Sequence, residues 1–239
     1  MKYIYGPVKS RRLGPSLGLS LTPHKICDFD CIYCQLGRTK EPAAERKEYI
    51  KTTEVINELK SWLQNNQEEA KSLSYITISG AGEPTLNTEI GSLISEIKKL
   101  TDSPVAVITN ASLLSRPEVR EALLGADLIV PTLNTVIPSI FEKIARPHQN
   151  IKIEEIIQGL INLRKEFHGK IWIEVMIIEG LNDDLPGVRK LKDIIDKINP
   201  DKVQINSPVR TTADKHVSCV PMKKLEKIRE ILGDKCQIV

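Results

Sequence analysis

The amino-acid sequence predicts an α/β protein whose fold is an open, partial (βα)6 TIM-like barrel. Short runs rich in β-branched residues alternate along the chain with longer segments of helical periodicity. Six such pairs can be recognised, and repeated strand–helix units require parallel pairing with right-handed crossovers. A polar segment also follows each predicted strand. Eight units would close a full barrel, so six units indicate an open one.

The predicted strands and helices follow one another in strict alternation. The strands are apolar or β-branched runs at residues 17–21, 75–79, 105–109, 128–132, 171–178 and 202–205. The helices have apolar residues at helical spacing near residues 53–63, 89–100, 117–124, 153–167, 185–198 and 222–232. No internal repeat, low-complexity tract or linker-like composition interrupts this order. We therefore expect residues 1–239 to form one domain, a length that single α/β domains reach.

The polar segments after the strands, most of them with glycine or asparagine, are the candidate functional loops. In parallel α/β folds the chemistry belongs at the carboxyl ends of the strands, which meet at one edge. The segments are residues 27–34, 80–85, 109–111, 132–135, 179–183 and 206–210. We expect all of them to lie on one rim of the barrel.

The first of these loops contains three cysteines within eight residues, Cys27, Cys31 and Cys34, in the spacing C-x3-C-x2-C. No further cysteine follows until Cys219. Iron–sulfur clusters are usually held by four thiolates, so three thiolates predict a cubane cluster with one iron left open. A zinc site normally needs a second ligand pair, and the five cysteines are an odd number for disulfides. Zinc or buried free thiols remain the alternatives.

The same stretch resembles a known family. The three cysteines, with Tyr33 before the last, match the C-x3-C-x-aromatic-C signature of radical S-adenosylmethionine (SAM) enzymes. The runs Ser-Arg-Arg-Leu-Gly at 10–14, Ser-Leu-Gly at 16–18 and Cys-Ile-Tyr-Cys-Gln at 31–35 are similar to the small relatives of the tRNA wyosine-forming enzymes. The resemblance implies the same (βα)6 barrel. The larger relatives carry a second set of cysteines that has no counterpart here, which weakens the transfer of their reaction.

The resemblance also implies the chemistry. A [4Fe–4S] cluster on the three cysteines would bind SAM at its fourth iron and cleave it reductively to methionine and a 5′-deoxyadenosyl radical. The radical would abstract hydrogen from a substrate, and reduced ferredoxin or flavodoxin would supply the electron. The rival interpretation is a non-enzymatic electron carrier or redox sensor. An activase that installs a radical on a partner protein, and a tRNA-base modifier, are the alternatives within enzymes.

Several rim residues are candidate SAM contacts. The segment Gly80-Ala81-Gly82-Glu83 resembles the family's Gly-Gly-Glu motif, which holds the amino group of the methionine moiety, although Ala81 departs from the doubled glycine. Glu83 would act through its charge or would only hold the loop. Polar side chains at strand ends could bind ribose hydroxyls or the methionine carboxylate, or could simply form turns. Together with the motif tyrosine, these further candidates are Tyr33, Thr109, Asn110, Thr132 and Asn134.

Glu174 is a charged residue inside an otherwise apolar strand. Alternation places it on the face opposite Ile171, Ile173 and Val175. If that face points into the barrel, the carboxylate needs a partner or a ligand. The two hypotheses are an internal salt bridge to an arginine such as Arg210 and a role at the substrate. The candidate substrate contacts are Arg11, Arg12, Glu174, Asn206 and Arg210; His148, in the loop beyond the fourth strand, is either a further contact or merely exposed.

Charge is distributed unevenly along the chain. The net charge is +3, with nine basic and five acidic residues in residues 1–50, which gives +4 there and −1 elsewhere. The positive excess therefore lies beside the cysteine motif. It indicates either a solvated basic surface or an anionic substrate, which could be a small anion, a peptide or tRNA.

From the sequence we expect neither a membrane protein nor an exported protein. No run approaches the ~20 apolar residues of a membrane-spanning helix, and residues 1–7 do not resemble a signal peptide. We therefore expect the cytoplasm, where thiolates stay reduced, and no membrane partner. Cys219 and Cys236 are expected to be ordinary small residues.

Overall fold

Eight strands form one sheet in which the strands are ordered as they occur along the chain. The computed structural model describes residues 1–43 and 45–239. The strands are β1 Ile4–Ser10, β2 Gly14–Leu19, β3 Tyr75–Ile78, β4 Val105–Thr109, β5 Leu128–Pro131, β6 Lys170–Met176, β7 Lys202–Asn206 and β8 Cys236–Ile238. β1 and β2 form an antiparallel hairpin, and every later pair is parallel.

Helices lie in the connections between the parallel strands. They are α1 Thr52–Asn65, α2 Gln67–Lys71, α3 Ile90–Leu100, α4 Pro117–Leu123, α5 Pro138–Ala145, α6 Ile153–Glu166, α7 Leu185–Ile198 and α8 Met222–Leu232. A single 3-10 turn, Pro84–Leu86, follows β3. Each longer helix buries one apolar stripe, for example Leu93, Ile94 and Ile97 of α3, and leaves its charged face to solvent.

The two faces of the sheet differ in what they contact. Ile76, Ile78, Val105 and Val107 belong to the main core, shared with the helices, and are completely buried. The alternate residues line the inside of the barrel, called the lumen below. At the end where the strands begin, a small apolar cluster closes the lumen as a floor, formed by Leu13, Tyr75, Ala106, Ile108, Leu128, Val130 and Trp172.

The predicted open, partial barrel is confirmed. All six predicted strands and six predicted helices are present, with ends shifted by a few residues. In the described part of the chain β8 pairs with β7 alone, so the sheet has two free edges and does not close. The sequence prediction missed β1, β8, α2 and α5. The edge strands were missed because Gly6 and Pro7 interrupt β1, whereas β8 has only three residues.

Across the described residues, 1–43 and 45–239, none of the helices has the length and apolar character needed to cross a membrane.

Candidate active site at the rim of the barrel

The three motif cysteines lie in the long loop between β2 and α1, and this loop is anchored at the end of α5. The backbone N–H of Asp30 donates to Ala145 O at 3.0 Å, and that of Ile32 donates to Ile144 O at 3.0 Å. The Phe29 ring packs edge-on against Phe141, with ring centroids 5.6 Å apart. α5 therefore positions the cysteine loop through backbone contacts that the sequence pattern did not reveal.

The cysteines are free thiols in a weakly solvated environment. Burial raises the pKa of Cys27 well above its usual value and raises the pKa of Cys31 to about 12. Two N–H groups point at the Cys27 sulfur, from the Phe29 backbone at 3.5 Å and from Asn110 Nδ2 at 3.8 Å. A bound metal cation would favour the thiolates, and N–H donors toward sulfur are a feature of iron–sulfur sites.

The chemistry of this donor set fits an iron–sulfur cluster. Soft thiolate ligands select such clusters, zinc or Cu(I) over hard cations. In residues 1–43 and 45–239, no group of three His, Cys, Asp or Glu side chains is arranged to hold a single metal ion. A cubane distributes its thiolates over separate iron atoms, so its ligands need not converge on a single metal ion. Cys27, Cys31 and Cys34 are the residues that could hold it.

The glycine loop after β3 packs directly against the cysteine loop. Gly80 has φ +72°, a left-handed conformation that favours glycine. At Gly82 an added Cβ would lie 1.7 Å from the carbonyl oxygen of Ile26, and the next N–H, that of Glu83, donates to the same oxygen at 2.9 Å. Gly82 therefore allows the backbone of this loop to approach the residue just before Cys27.

Glu83 is a buried carboxylate with four hydrogen-bond donors. Oε1 accepts from Thr85 N at 3.0 Å, Thr85 Oγ1 at 2.6 Å and Thr109 Oγ1 at 2.7 Å, and Oε2 accepts from Asn110 N at 2.7 Å. Burial, followed by the nearby charge of Asp28, raises its pKa to about 7. Of the two roles considered for Glu83, this geometry agrees with holding the loop, because the carboxylate joins the ends of β3 and β4.

Asp28 is a site residue that the sequence analysis missed. Its side chain is 1% exposed, and Oδ1 accepts from Asn110 Nδ2 at 2.6 Å. Burial raises its pKa, and its second oxygen, Oδ2, has no hydrogen-bond partner in the described residues. The sequence did contain one signal for Asp28, because it places a carboxylate inside the cysteine motif. Asn110 thus contacts both Asp28 and the Cys27 sulfur.

Tyr33 and Asn134 meet across the rim. Asn134 Nδ2 donates to the Tyr33 hydroxyl at 2.9 Å, and Met176 N donates to Asn134 Oδ1 at 2.8 Å. Asn182, also missed from the sequence, donates to the carbonyl oxygens of Asn134 at 2.8 Å and Met176 at 2.9 Å. A small cavity of about 20 Å³ touches Tyr33, Asn134, Asn110 and Thr132, so the structure brings together predicted SAM contacts from three loops.

A cofactor-sized space lies beside the glycine and cysteine loops. A cavity of about 940 Å³ is lined by Gly80 and Ala81 on one side and by Thr22, His24 and Leu36 on another. This volume falls in the range of sites for small molecules and cofactors. The space is large enough for a nucleoside-sized ligand beside the glycine loop, but Cys27, Cys31 and Cys34 do not line it.

The predicted substrate residues lie in or beside the lumen. Glu174, 9% exposed, forms an ion pair with Arg12. The internal salt bridge, one of the two hypotheses for Glu174, is therefore present, but its partner is Arg12. The suggested partner, Arg210, donates from Nη1 to Gln35 Oε1 at 3.2 Å. Arg11 donates to Asn206 Oδ1 at 3.4 Å. All five residues line one cavity of about 350 Å³.

Comparison with known proteins agrees with this arrangement. The family described as Radical SAM superfamily matches residues 21–191. A protein named GTPase Obg from Brachyspira hyodysenteriae is 39% identical over 99% of this chain, and the chain spans 34% of that protein's length. UPF0026 protein MJ1312 from Methanocaldococcus jannaschii is 31% identical over 98% of this chain, which covers 72% of it.

Two solved structures have a similar fold. TYW1 with a lysine-pyruvate adduct bound superposes with a TM-score of 0.67 at 18% identity, over 91% of this chain and 72% of that one. Streptococcus suis SuiB bound to S-adenosylmethionine gives a TM-score of 0.67 at 16% identity, over 93% of this chain and 48% of that one. The superfamily predicted from the cysteine motif is confirmed: the chain is an enzyme of the radical SAM superfamily and, by its similarity to MJ1312, of the UPF0026 family.

Proposed function

We propose that this enzyme binds a [4Fe–4S] cluster through Cys27, Cys31 and Cys34 and uses it with SAM to start a radical reaction. The observation that carries the proposal is the junction at Ile26, whose carbonyl oxygen accepts from Glu83 N at 2.9 Å. This bond joins the cysteine loop to the glycine loop. When bound, the cluster supplies one electron that cleaves SAM to methionine and a 5′-deoxyadenosyl radical, which takes a hydrogen atom from the substrate.

The residues around the cysteines have holding and tuning roles in this proposal. Asn110 contributes a side-chain N–H near the Cys27 sulfur, where a donor stabilises negative charge on the thiolate. Asp28 accepts a hydrogen bond from the side-chain amide of Asn110 and thereby fixes the orientation of Asn110. Three protein ligands leave the fourth iron for SAM, in line with metal sites that keep a position open for a ligand.

The rim side chains would bind SAM. Gly82 presents its backbone beside Ile26, next to the cysteines, and Gly80 lines the neighbouring cavity of about 940 Å³. At both positions a side chain would prevent close approach. Tyr33, Asn110, Thr132 and Asn134, which line one small cavity, supply hydroxyl and amide groups for the ribose and for the methionine carboxylate. The Thr109 hydroxyl already donates to Glu83, so Thr109 would act by holding that carboxylate. We assign Glu83 a positioning role, because both of its oxygens already accept hydrogen bonds from β3 and β4 loop residues.

Covering elements would protect a reactive radical from water. The segment 207–221 after β7 reaches the cysteine loop, where Asp214 N donates to Ile32 O at 2.9 Å. Val217 of this segment packs on a cluster that includes Ile32 and Met176. Exclusion of water prevents side reactions of reactive intermediates. The substrate would enter the lumen beneath this cover, and reduced ferredoxin or flavodoxin would supply the electron from outside.

Formation of 5′-deoxyadenosine tests the proposal. Protein reconstituted anaerobically with iron and sulfide, then reduced in the presence of SAM, should release 5′-deoxyadenosine, measured by chromatography. Cys31→Ala should abolish the product, whereas Cys219→Ala, a change at an exposed cysteine, should retain it. Absence of the product from cluster-loaded wild-type protein that also shows no SAM binding by calorimetry would favour an electron carrier or redox sensor.

A further inference from the structure

The lumen is a compartment with a closed end. Its floor is the apolar cluster that contains Leu13, Tyr75 and Trp172. Above the floor lies the cavity of about 350 Å³, whose wall includes Thr77, Glu174 and other inward-facing strand residues. That volume is near the lower end of the range for small-molecule sites, about 300–1,000 Å³. A ligand that fills it must be small, or must insert only one group.

The ionisable side chains around this cavity are mostly cationic. Lys9, Arg11, Arg12 and Arg210 line it together with a single carboxylate, Glu174. Glu174 already neutralises Arg12. Like charges that converge on one cavity repel each other and raise the local concentration of anions. The cavity is therefore built for a ligand that brings negative charge.

The contacts of the two arginines at the mouth leave them available to a ligand. Arg210 donates to the neutral side-chain oxygen of Gln35 at 3.2 Å. Arg11 donates to Asn206 Oδ1 at 3.4 Å and to a backbone oxygen of Val239 at 3.3 Å. Both arginines are exposed. A guanidinium presents a planar set of donors that matches a carboxylate or phosphate in a bidentate manner, so an oxyanion would replace these long contacts with charge-assisted ones.

Thr77 adds an independent observation from inside the cavity. Its side chain is 5% exposed, and its hydroxyl oxygen has no hydrogen-bond partner in the described portion of the structure. Neighbouring Ile76 and Ile78 face the core, so Thr77 faces the lumen. A buried hydroxyl without a partner is unfavourable unless a ligand or an ordered water forms a hydrogen bond with it. A hydroxyl is a suitable donor to a carboxylate or phosphate oxygen.

We infer that the substrate is a small molecule bearing a carboxylate or a phosphate, held in the lumen by Arg11, Arg210 and the Thr77 hydroxyl. This assignment of substrate class rests on the proposed function. Arg12 is a positioning residue here, since its guanidinium already forms an ion pair with Glu174. A compartment of about 350 Å³ that is closed at one end favours a free metabolite over a nucleic acid, whose reacting base would have to be flipped out of its strand to enter.

Binding of simple anions tests the inference. Inorganic phosphate and malonate serve as probes of the two headgroup chemistries, measured by calorimetry and by the rise in Tm of the reconstituted protein, with sodium chloride at matched ionic strength as the reference. At least one probe should bind the wild-type protein. Arg210→Gln should weaken its affinity by roughly tenfold or more, because the variant loses a charge-assisted, bidentate contact to the oxyanion. Arg189→Gln, at an exposed position on α7, is the matched control and should leave the affinity unchanged.

Thr77→Val separates ligand binding from folding. Valine removes only the hydroxyl, so the free energy of unfolding without anion should not fall, whereas the affinity for the bound probe should drop. Failure of both probes to exceed the chloride reference would overturn the inference, as would equal affinities in Thr77→Val and wild type. Salt-dependent binding of bulk tRNA with neither probe bound would also overturn it. Anion binding without 5′-deoxyadenosine formation would instead remove the proposed radical chemistry and leave the anion site.

Discussion

Arg12 and Glu174 form an ion pair that ties the β1–β2 turn to β6 across the lumen. The side chains are 26% and 11% exposed, so this pair is only partly screened by water. β1 and β2 form the only antiparallel pair among the strands of residues 1–43 and 45–239, and their hairpin lies at a free edge of the sheet. The ion pair therefore links an edge hairpin to the interior of the parallel sheet.

Breaking this ion pair from either side should destabilise the protein, and the two losses should not be additive. We expect Arg12→Gln or Glu174→Gln alone to lower the free energy of unfolding by about 1–3 kcal/mol, because each leaves one charge uncompensated. The double variant should lose less than the sum of the single losses, with a coupling of about 1 kcal/mol or more. Chemical denaturation of all four proteins provides the measurement. Strictly additive losses would contradict an energetically significant pair.

Loss of any motif cysteine should abolish the cluster but not the fold. After anaerobic reconstitution, Cys27→Ala, Cys31→Ala and Cys34→Ala should each retain well under the roughly four irons per chain of a full cubane. Iron analysis and paramagnetic resonance of the reduced proteins measure this. Cys219→Ala is the matched control and should keep the wild-type iron content, since Cys219 is exposed. A wild-type cluster signal in any of the three motif variants would remove that cysteine from the ligand set.

Glu83→Gln should weaken the junction between the ends of β3 and β4. An amide in place of the carboxylate presents N–H groups toward at least one backbone donor, Thr85 N or Asn110 N. The loss of that acceptor should cost about 1–3 kcal/mol in unfolding free energy. Glu230→Gln, a change at an exposed position of α8, should cost far less. Equal stability of the two variants would show that the four hydrogen bonds of Glu83 contribute little.

The pH dependence of stability should report the raised pKa of the Glu83 carboxyl group. Its pKa is about 7 in the folded protein, above the roughly 4.3 of an unfolded glutamate, so the folded state binds the proton more tightly. The contribution of Glu83 to the free energy of unfolding should therefore fall as the pH rises from about 4.3 to about 7. Denaturation across that interval should show a shallower decline for Glu83→Gln than for the wild type. Parallel profiles would contradict the raised pKa.

Gly82→Ala should separate the glycine loop from the cysteine loop. The new Cβ would lie 1.7 Å from Ile26 O, a backbone atom that cannot move independently of the cysteines. Overpacking of this kind typically costs about 1–3 kcal/mol, and we expect both Tm and retained iron to fall. At Gly125 an added Cβ would lie 3.2 Å from a methyl group of Ile94, so Gly125→Ala is the control. Full iron retention by Gly82→Ala would show that the two loops are not coupled.

Much of the fold and the cysteine loop could be predicted because their signals are local. Alternation along 171–178 predicts which residues of β6 face the core, and Ile171, Ile173 and Val175 are completely buried there. The spacing of Cys27, Cys31 and Cys34 is sufficient by itself to predict a cluster-binding motif. The carboxyl ends of parallel strands meet at one edge, so the rim location of Asn110 and Asn134 followed from the order of strands.

The partners of the buried polar groups were decided only by the tertiary structure. Alternation predicted that Glu174 needs a partner or a ligand if it faces the lumen, but the sequence does not distinguish Arg12 from Arg210, since both are distant along the chain. The same holds for Asp28, whose bond to Asn110 spans 82 positions. Periodicity reports which face of an element is buried, whereas a hydrogen bond or an ion pair depends on where the backbone places two distant side chains.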